Sequence, residues 1–62
     1  MINILQLQSD SAGNKGWVLI SQQPDMSPEE SLGYIEALAS DGKSYAAELI
    51  TDIGNQRIAE IP

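Results

Sequence analysis

The feature that most constrains this chain is the absence of any residue that could cross-link it. Its 62 residues include no Cys and no His, so a disulfide is impossible and the usual zinc ligands are missing. A domain of this length buries only about 60% of the surface of its unfolded chain, which leaves its stability marginal. We therefore expect a single small domain, residues 1–62, that gains stability by forming a homodimer or higher homo-oligomer.

The distribution of apolar residues and turn formers predicts two β-hairpins. Four segments have the composition of strands: residues 2–8, 17–22, 44–52 and 57–61. The turn-rich segment 9–16 joins the first two, and the Gly-Asn turn within 51–56 joins the last two, so each pair is expected to be antiparallel. The apolar alternation changes phase between Ile4 and Leu5, which predicts either a bulge or a strand covered on both faces.

The clearest local signal is the start of a helix at Ser27-Pro28-Glu29-Glu30. A serine before a proline, with a glutamate three positions later, has the pattern of a capping box. The helix is expected to run from Pro28 to Ala39 and to end at Asp41-Gly42, where Gly42 would adopt a left-handed conformation. Its predicted apolar stripe consists of Leu32, Ile35, Leu38 and Ala39, with Tyr34 at the margin.

The segment 44–52 is the least certain of the predicted strands, because its Ala, Glu and Leu residues also favour a helix. The following turn and the alternation in 57–61 favour a strand. The resulting fold class is α+β: a small antiparallel sheet in the order β-β-α-β-β, with a single helix packed on one face. One helix covers only one face of such a sheet, so residues on the other face, with Trp17 or Leu5 as candidates, must meet solvent or a partner.

The composition argues against most kinds of chemistry. The seven serines have no His to activate them, so we expect no enzyme activity. Nine acidic residues against three basic ones give a net charge of −6, which disfavours nucleic-acid binding. The carboxylates lack the spacing of a calcium loop, and we predict no metal and no cofactor. No apolar run could span a membrane and no basic segment opens the chain, so a cytoplasmic location is expected.

Five residues are the candidate binding residues: Trp17, Lys15, Asn14, Arg57 and Tyr34. Trp17 is the best candidate for an interface anchor, since aromatic residues are favoured at binding hot spots. Asn14 and Lys15 belong to the glycine-rich turn Gly13-Asn14-Lys15-Gly16, which could contact an anion through backbone N–H groups. The turn leads into a strand rather than a helix, however, and so does not match a Walker motif. Tyr34 is also a candidate for the margin of the core.

Two functional hypotheses remain. The first is a small acidic non-enzymatic protein that regulates or inhibits another protein, by analogy of type with phage or mobile-element antagonists of host factors, including anti-defence proteins. The second is an oligomeric protein that sequesters a nucleotide-like metabolite or another small anionic ligand at subunit interfaces. Convergence of Lys15 and Arg57 on one pocket would favour the ligand, whereas dispersed cations and an exposed apolar patch would favour a protein partner.

Overall fold

The computed structural model describes all 62 residues and has the predicted α+β class. Two strands, β1 (Ile2–Ser9) and β2 (Lys15–Gln23), precede helix α1 (Pro28–Leu38) and a short 3-10 turn (Ala39–Asp41). Strands β3 (Tyr45–Thr51) and β4 (Gly54–Ile61) follow. All four strands form one antiparallel sheet in the order β2-β1-β3-β4, so both predicted hairpins and the strand assignment of 44–52 are confirmed. The predicted Gly-Asn turn is wrong: the chain turns at Asp52-Ile53, because Gly54 and Asn55 already pair with β3.

The sheet has a bulge at the point where the apolar alternation changes phase. Ile4 pairs with Ser21, but Leu5 pairs with Leu19, so Ile20 is an extra residue in β2. A bulge of this kind bends its strand and interrupts regular pairing. The predicted irregularity is therefore confirmed, and the extra residue lies in the edge strand rather than in β1.

Helix α1 begins as its sequence predicts. The backbone N–H of Glu30 donates to Oγ of Ser27 at 3.1 Å, and the backbone N–H of Ser27 donates to a carboxylate oxygen of Glu30 at 3.2 Å. This capping box satisfies N–H groups that have no partner inside the helix. The α-helix ends at Leu38, slightly earlier than predicted, and Gly42 follows the 3-10 turn with a φ of 84°. A side chain is disfavoured at this φ, so glycine is the suitable residue there.

The core lies between α1 and one face of the sheet. The fully packed cluster contains Ile2, Ile4, Ile35, Tyr45 and Ala47. The helix packs chiefly against β4 and β3, so it covers one side of the sheet and leaves β2 outside its footprint. Only 7 of the 62 residues are buried, and this small core is consistent with the thin stability expected for so short a chain.

The apolar stripe of α1 differs from the prediction in one position. Leu32 is exposed, whereas Ser31 has no exposed surface. Ser31 and Ile35 are separated by one helical turn and share the face that meets the sheet, while Leu32 is rotated away from it. The prediction for Leu32 was wrong because apolar character alone set the phase of the stripe, and the helix buries a serine instead.

Candidate functional site

Strand β2 is the most exposed apolar element of the molecule. Four consecutive side chains on this edge strand keep much of their surface in solvent: Trp17 (37%), Val18 (40%), Leu19 (51%) and Ile20 (41%). The helix packs chiefly against β3 and β4 rather than against β2, and one edge of β2 has no neighbouring strand. A contiguous exposed apolar segment of this kind is a candidate interaction surface.

The register of the sheet assigns these side chains to two faces. Ile4 faces the helix and is buried, so Leu5 and Leu7 of β1 point to the opposite face, which we call the open face. Leu5 pairs with Leu19 and Leu7 pairs with Trp17, which places both β2 residues on the open face. Val18 points to the helix side, beyond the edge of the helix. An apolar strip therefore runs across β1 and β2 on the open face.

A charged cluster from β3 and β4 meets this strip. The guanidinium carbon of Arg57 on β4 lies 4.9 Å from the centroid of the Trp17 ring, within the range of a cation–π contact. Arg57 Nε donates to a carboxylate oxygen of Glu48 at 3.0 Å, and Nη1 donates to Glu60. Ala46 lies on the same face and has no exposed surface. Side chains from neighbouring strands therefore cover part of the open face.

The loop between β1 and β2 is organised by Asp10. Its carboxylate accepts hydrogen bonds from the backbone N–H groups of Ala12 and Asn14, both at 2.9 Å. Its carbonyl accepts from the N–H of Gly13 at 3.1 Å. Three successive backbone donors of the loop, those of Ala12, Gly13 and Asn14, are thus bonded to Asp10. Its negative charge would also repel an anion, so this arrangement disfavours anion binding by the loop.

A shallow surface depression of about 350 Å³ adjoins this loop. Its lining includes three of the candidate binding residues, Asn14, Lys15 and Trp17, and also Asp10. Lys43 lines a separate depression beside β1, and Arg57 is bonded to two carboxylates on the open face. The three basic side chains of the molecule therefore do not converge on one pocket.

The five candidate residues fall into two groups. Asn14 and Lys15 lie in the loop beside Trp17, and Arg57 contacts Trp17 directly. Tyr34 instead lies on α1, where it packs against the core on the helix side of the sheet. Asn14, Lys15 and Trp17 thus line one depression, Arg57 reaches only the Trp17 ring and not that depression, and Tyr34 lies apart from them.

Sequence reasoning missed two parts of this surface. Val18, Leu19 and Ile20 were assigned to a strand, but their exposure depends on β2 being at the edge, which a local pattern does not reveal. Asp10 was considered only as one of several turn formers. The Asp-x-x-x-Asn spacing of Asp10 and Asn14 is a usable signal, since aspartate side chains commonly bond to backbone groups a few residues ahead.

A hydrogen-bonded chain of side chains lies on the helix side of the sheet, where Gln6 pairs with Tyr45 on one side and Val18 on the other. The Tyr45 hydroxyl donates to the Asp41 carboxylate at 2.5 Å and accepts from the Gln6 side-chain amide at 2.8 Å. The bond from Tyr45, with that from the Lys43 backbone N–H, lowers the pKa of Asp41 below 3.8, and the bond to Asp41 raises the pKa of Tyr45 above 10.0. Both shifts favour a neutral tyrosine bonded to an ionised aspartate at neutral pH.

No group of three or more acidic side chains comes together in a way that could hold a metal ion. Neither helical segment has the length and apolar character required to cross a membrane. No protein-family model, no curated protein and no solved structure matches this chain. Functional inference therefore depends on the surface around Trp17 and β2.

Proposed function

We propose that this chain is a non-enzymatic binding protein that regulates or inhibits another protein through the open face around Trp17. The observation that carries the proposal is the contiguous exposure of Trp17 and Leu19 on the strand that the helix leaves uncovered. An aromatic side chain beside aliphatic neighbours, surrounded by polar groups, has the composition of an interface hot spot.

The acidic net charge of the chain also supports a protein partner. The net charge of −6 favours a partner with a basic surface, because complementary potentials speed association and suppress wrong partners. Glu48 and Glu60 lie beside the Trp17–Arg57 contact and would form part of an acidic rim. In this proposal Trp17 provides the apolar anchor and the carboxylates orient the partner.

The alternative function, sequestration of a nucleotide-like metabolite, has less support. It requires cationic or backbone N–H groups that converge on a pocket between subunits. Lys15, Lys43 and Arg57 are dispersed, and Asp10 already accepts from the N–H groups of Ala12, Gly13 and Asn14. Dispersed cations together with an exposed apolar strip favour a protein partner.

Self-association in the cytoplasm, as a homodimer or higher homo-oligomer, belongs to the same proposal. Because the core is small, we expect the stability of the monomer to be low. Self-association would increase it, since binding of any species to the folded state stabilises that state. By analogy with other small, acidic, non-enzymatic proteins, one form of this function is that of a phage or mobile-element antagonist of a host factor.

Affinity capture with matched baits tests the protein-binding function. Wild-type protein, Trp17→Ala, Lys15→Ala and Ile53→Ala would be immobilised and exposed to a lysate of the source cell. Ile53 is a suitable control because its side chain is fully solvated in the β3–β4 turn. We expect a protein that is captured by the wild type, Lys15→Ala and Ile53→Ala but lost with Trp17→Ala. Equal capture by all four baits would contradict the assignment to Trp17.

The same four baits would also reveal a small-ligand-binding function. A phosphate-bearing ligand would be lost with Lys15→Ala and retained with Trp17→Ala, and native mass spectrometry of the recovered protein would show it as added mass. Circular dichroism of each bait is required, because Trp17 also contacts Arg57 and its removal lowers stability. The comparison is valid only for baits that remain folded.

A further inference from the structure

The two edges of the sheet are protected to different degrees. The outer strand β4 carries Arg57 and Glu60, and charged residues are a common device against edge-to-edge pairing. The other outer strand, β2, has a single charged residue, Lys15, at its first position. Its bulge at Ile20 leaves Gly16–Leu19, after Lys15, as a regular, uncharged edge with unpaired backbone groups.

Charge indicates which occupant fits this edge. Residues 11–24 contain no acidic residue, although the chain has nine. A second copy of so acidic a molecule is repelled by most of the surface, and the repulsion is smallest at this segment. A basic partner would instead be attracted to the acidic side chains on the open face, such as Glu48 and Glu60, and not to the strand edge. The uncharged edge is therefore better matched to another copy of the same chain than to a partner of opposite charge.

We propose that β2 pairs in antiparallel fashion with β2 of a second copy, about a two-fold axis near Trp17–Leu19. Antiparallel pairing of identical strands is isologous, and its axis is perpendicular to the sheet. The two four-stranded sheets become one continuous sheet, with β2 and its counterpart at the centre. Both open faces lie on the same side, so the two copies of Trp17 and Leu19 contribute to one apolar surface.

This arrangement makes the open face a composite site. The backbone groups at the β2 edge are used within the plane of the sheet, so the pairing does not cover the side chains on its faces. A partner of the kind proposed above would contact residues of both copies at once. This dimer deepens the self-association included in the proposed function, but it is measured on the purified protein alone, so its failure would leave binding of another protein through Trp17 untouched.

The edge is short, which sets the expected affinity. Standard interfaces bury about 800 Å² per partner, and one strand edge provides less than this. We therefore expect a dissociation constant on the order of 10 µM. Association should be detectable by sedimentation equilibrium at concentrations a few times higher.

Charge reversal at Val18 tests the pairing. If the axis passes through Trp17, Val18 or Leu19, the two copies of Val18 lie opposite or diagonal to each other on the same face, within reach of a charge pair. Val18→Glu and Val18→Lys should each raise the dissociation constant by about tenfold or more through like-charge repulsion. A mixture of the two variants, one of them isotopically labelled, should form heterodimers with an affinity within about threefold of the wild type. Ile53→Glu is the matched control and should leave the wild-type affinity unchanged.

A cysteine variant provides a second measurement if the charged variants fail to fold. The chain has no native Cys, so a short bismaleimide would report only on the introduced thiol. Val18→Cys should yield at least about ten times more cross-linked dimer than Ile53→Cys at equal concentration. A wild-type protein that stays monomeric at about 1 mM, far above the expected dissociation constant, would overturn the proposal. So would a dimer that is insensitive to charge at Val18, since it would use another surface.

Discussion

The Arg57 guanidinium lies 4.9 Å from the centroid of the Trp17 ring, so β4 and β2 are connected across the two central strands. A thermodynamic cycle with Arg57→Met, Trp17→Leu and the double variant should isolate this contact. We expect a coupling free energy of about 0.5–1 kcal/mol, the usual value for a cation–π pair with partial solvent exposure. The measurement is the free energy of unfolding from urea denaturation followed by circular dichroism.

The single variant Arg57→Met should be more destabilising than this coupling, because it also leaves Glu48 and Glu60 without their cation. Arg57→Lys provides the comparison, since lysine keeps the charge but lacks the planar group that stacks on the indole. Additive single effects, within about 0.3 kcal/mol, would show that the contact has no energetic importance.

The capping box at the start of α1 leads to a second prediction. Ser27→Ala removes the hydroxyl that accepts the Glu30 N–H and should lower the free energy of unfolding by about 1 kcal/mol. Ser11→Ala is the matched control, because Ser11 lies in the exposed β1–β2 loop. Equal denaturation midpoints for the two variants would mean that the cap does not stabilise the helix.

The buried hydroxyl of Ser31 leads to a prediction of opposite sign. Ser31 Oγ is buried and has no hydrogen-bond partner, and an unsatisfied buried polar group is destabilising. Ser31→Ala removes this group and adds a residue with higher helix propensity. We expect the free energy of unfolding to rise by about 1 kcal/mol.

Ser40→Ala is the comparison for Ser31→Ala, since Ser40 is exposed and its hydroxyl donates to the Ala37 carbonyl at 3.0 Å. Stabilisation should be confined to the Ser31 variant. A loss of stability in Ser31→Ala would show that its hydroxyl has a partner in solution, such as a bound water.

Local sequence patterns predicted the elements of this fold because each element carries its own signal. The Ser27 cap, the turn at Gly42 and the phase change at Ile4–Leu5 are all determined by neighbouring residues. The buried face of α1 was not predicted correctly, because burial of Ser31 in place of Leu32 depends on how α1 lies on the sheet. That orientation is a tertiary property which apolar periodicity does not determine.

The candidate site could be predicted only in part, for the same reason. Trp17 and its loop neighbours Asn14 and Lys15 are adjacent in sequence, so their proximity was expected. The approach of Arg57 to Trp17 depends on the order β2-β1-β3-β4, which places residues from the two outer strands over the same face. The order of strands in the sheet is determined by how whole hairpins pack, and local sequence patterns do not predict it.

The hydrogen bond from Tyr45 to Asp41 leads to a prediction about pH. The folded state lowers the pKa of Asp41 below 3.8, so the stability from this ionised group is present above that pH and is lost as the pH falls through the lower, folded-state pKa. The pKa of Tyr45 is raised above 10.0, so its contribution is present below that pH and is lost as the pH rises further.

Tyr45→Phe removes the bond and should lower the melting temperature most near neutral pH. The difference from wild type should shrink at both acid and alkaline extremes, whereas Tyr34→Phe, at the margin of the core, should show no such pattern. A difference between Tyr45→Phe and wild type that is constant across the pH range would contradict this coupling.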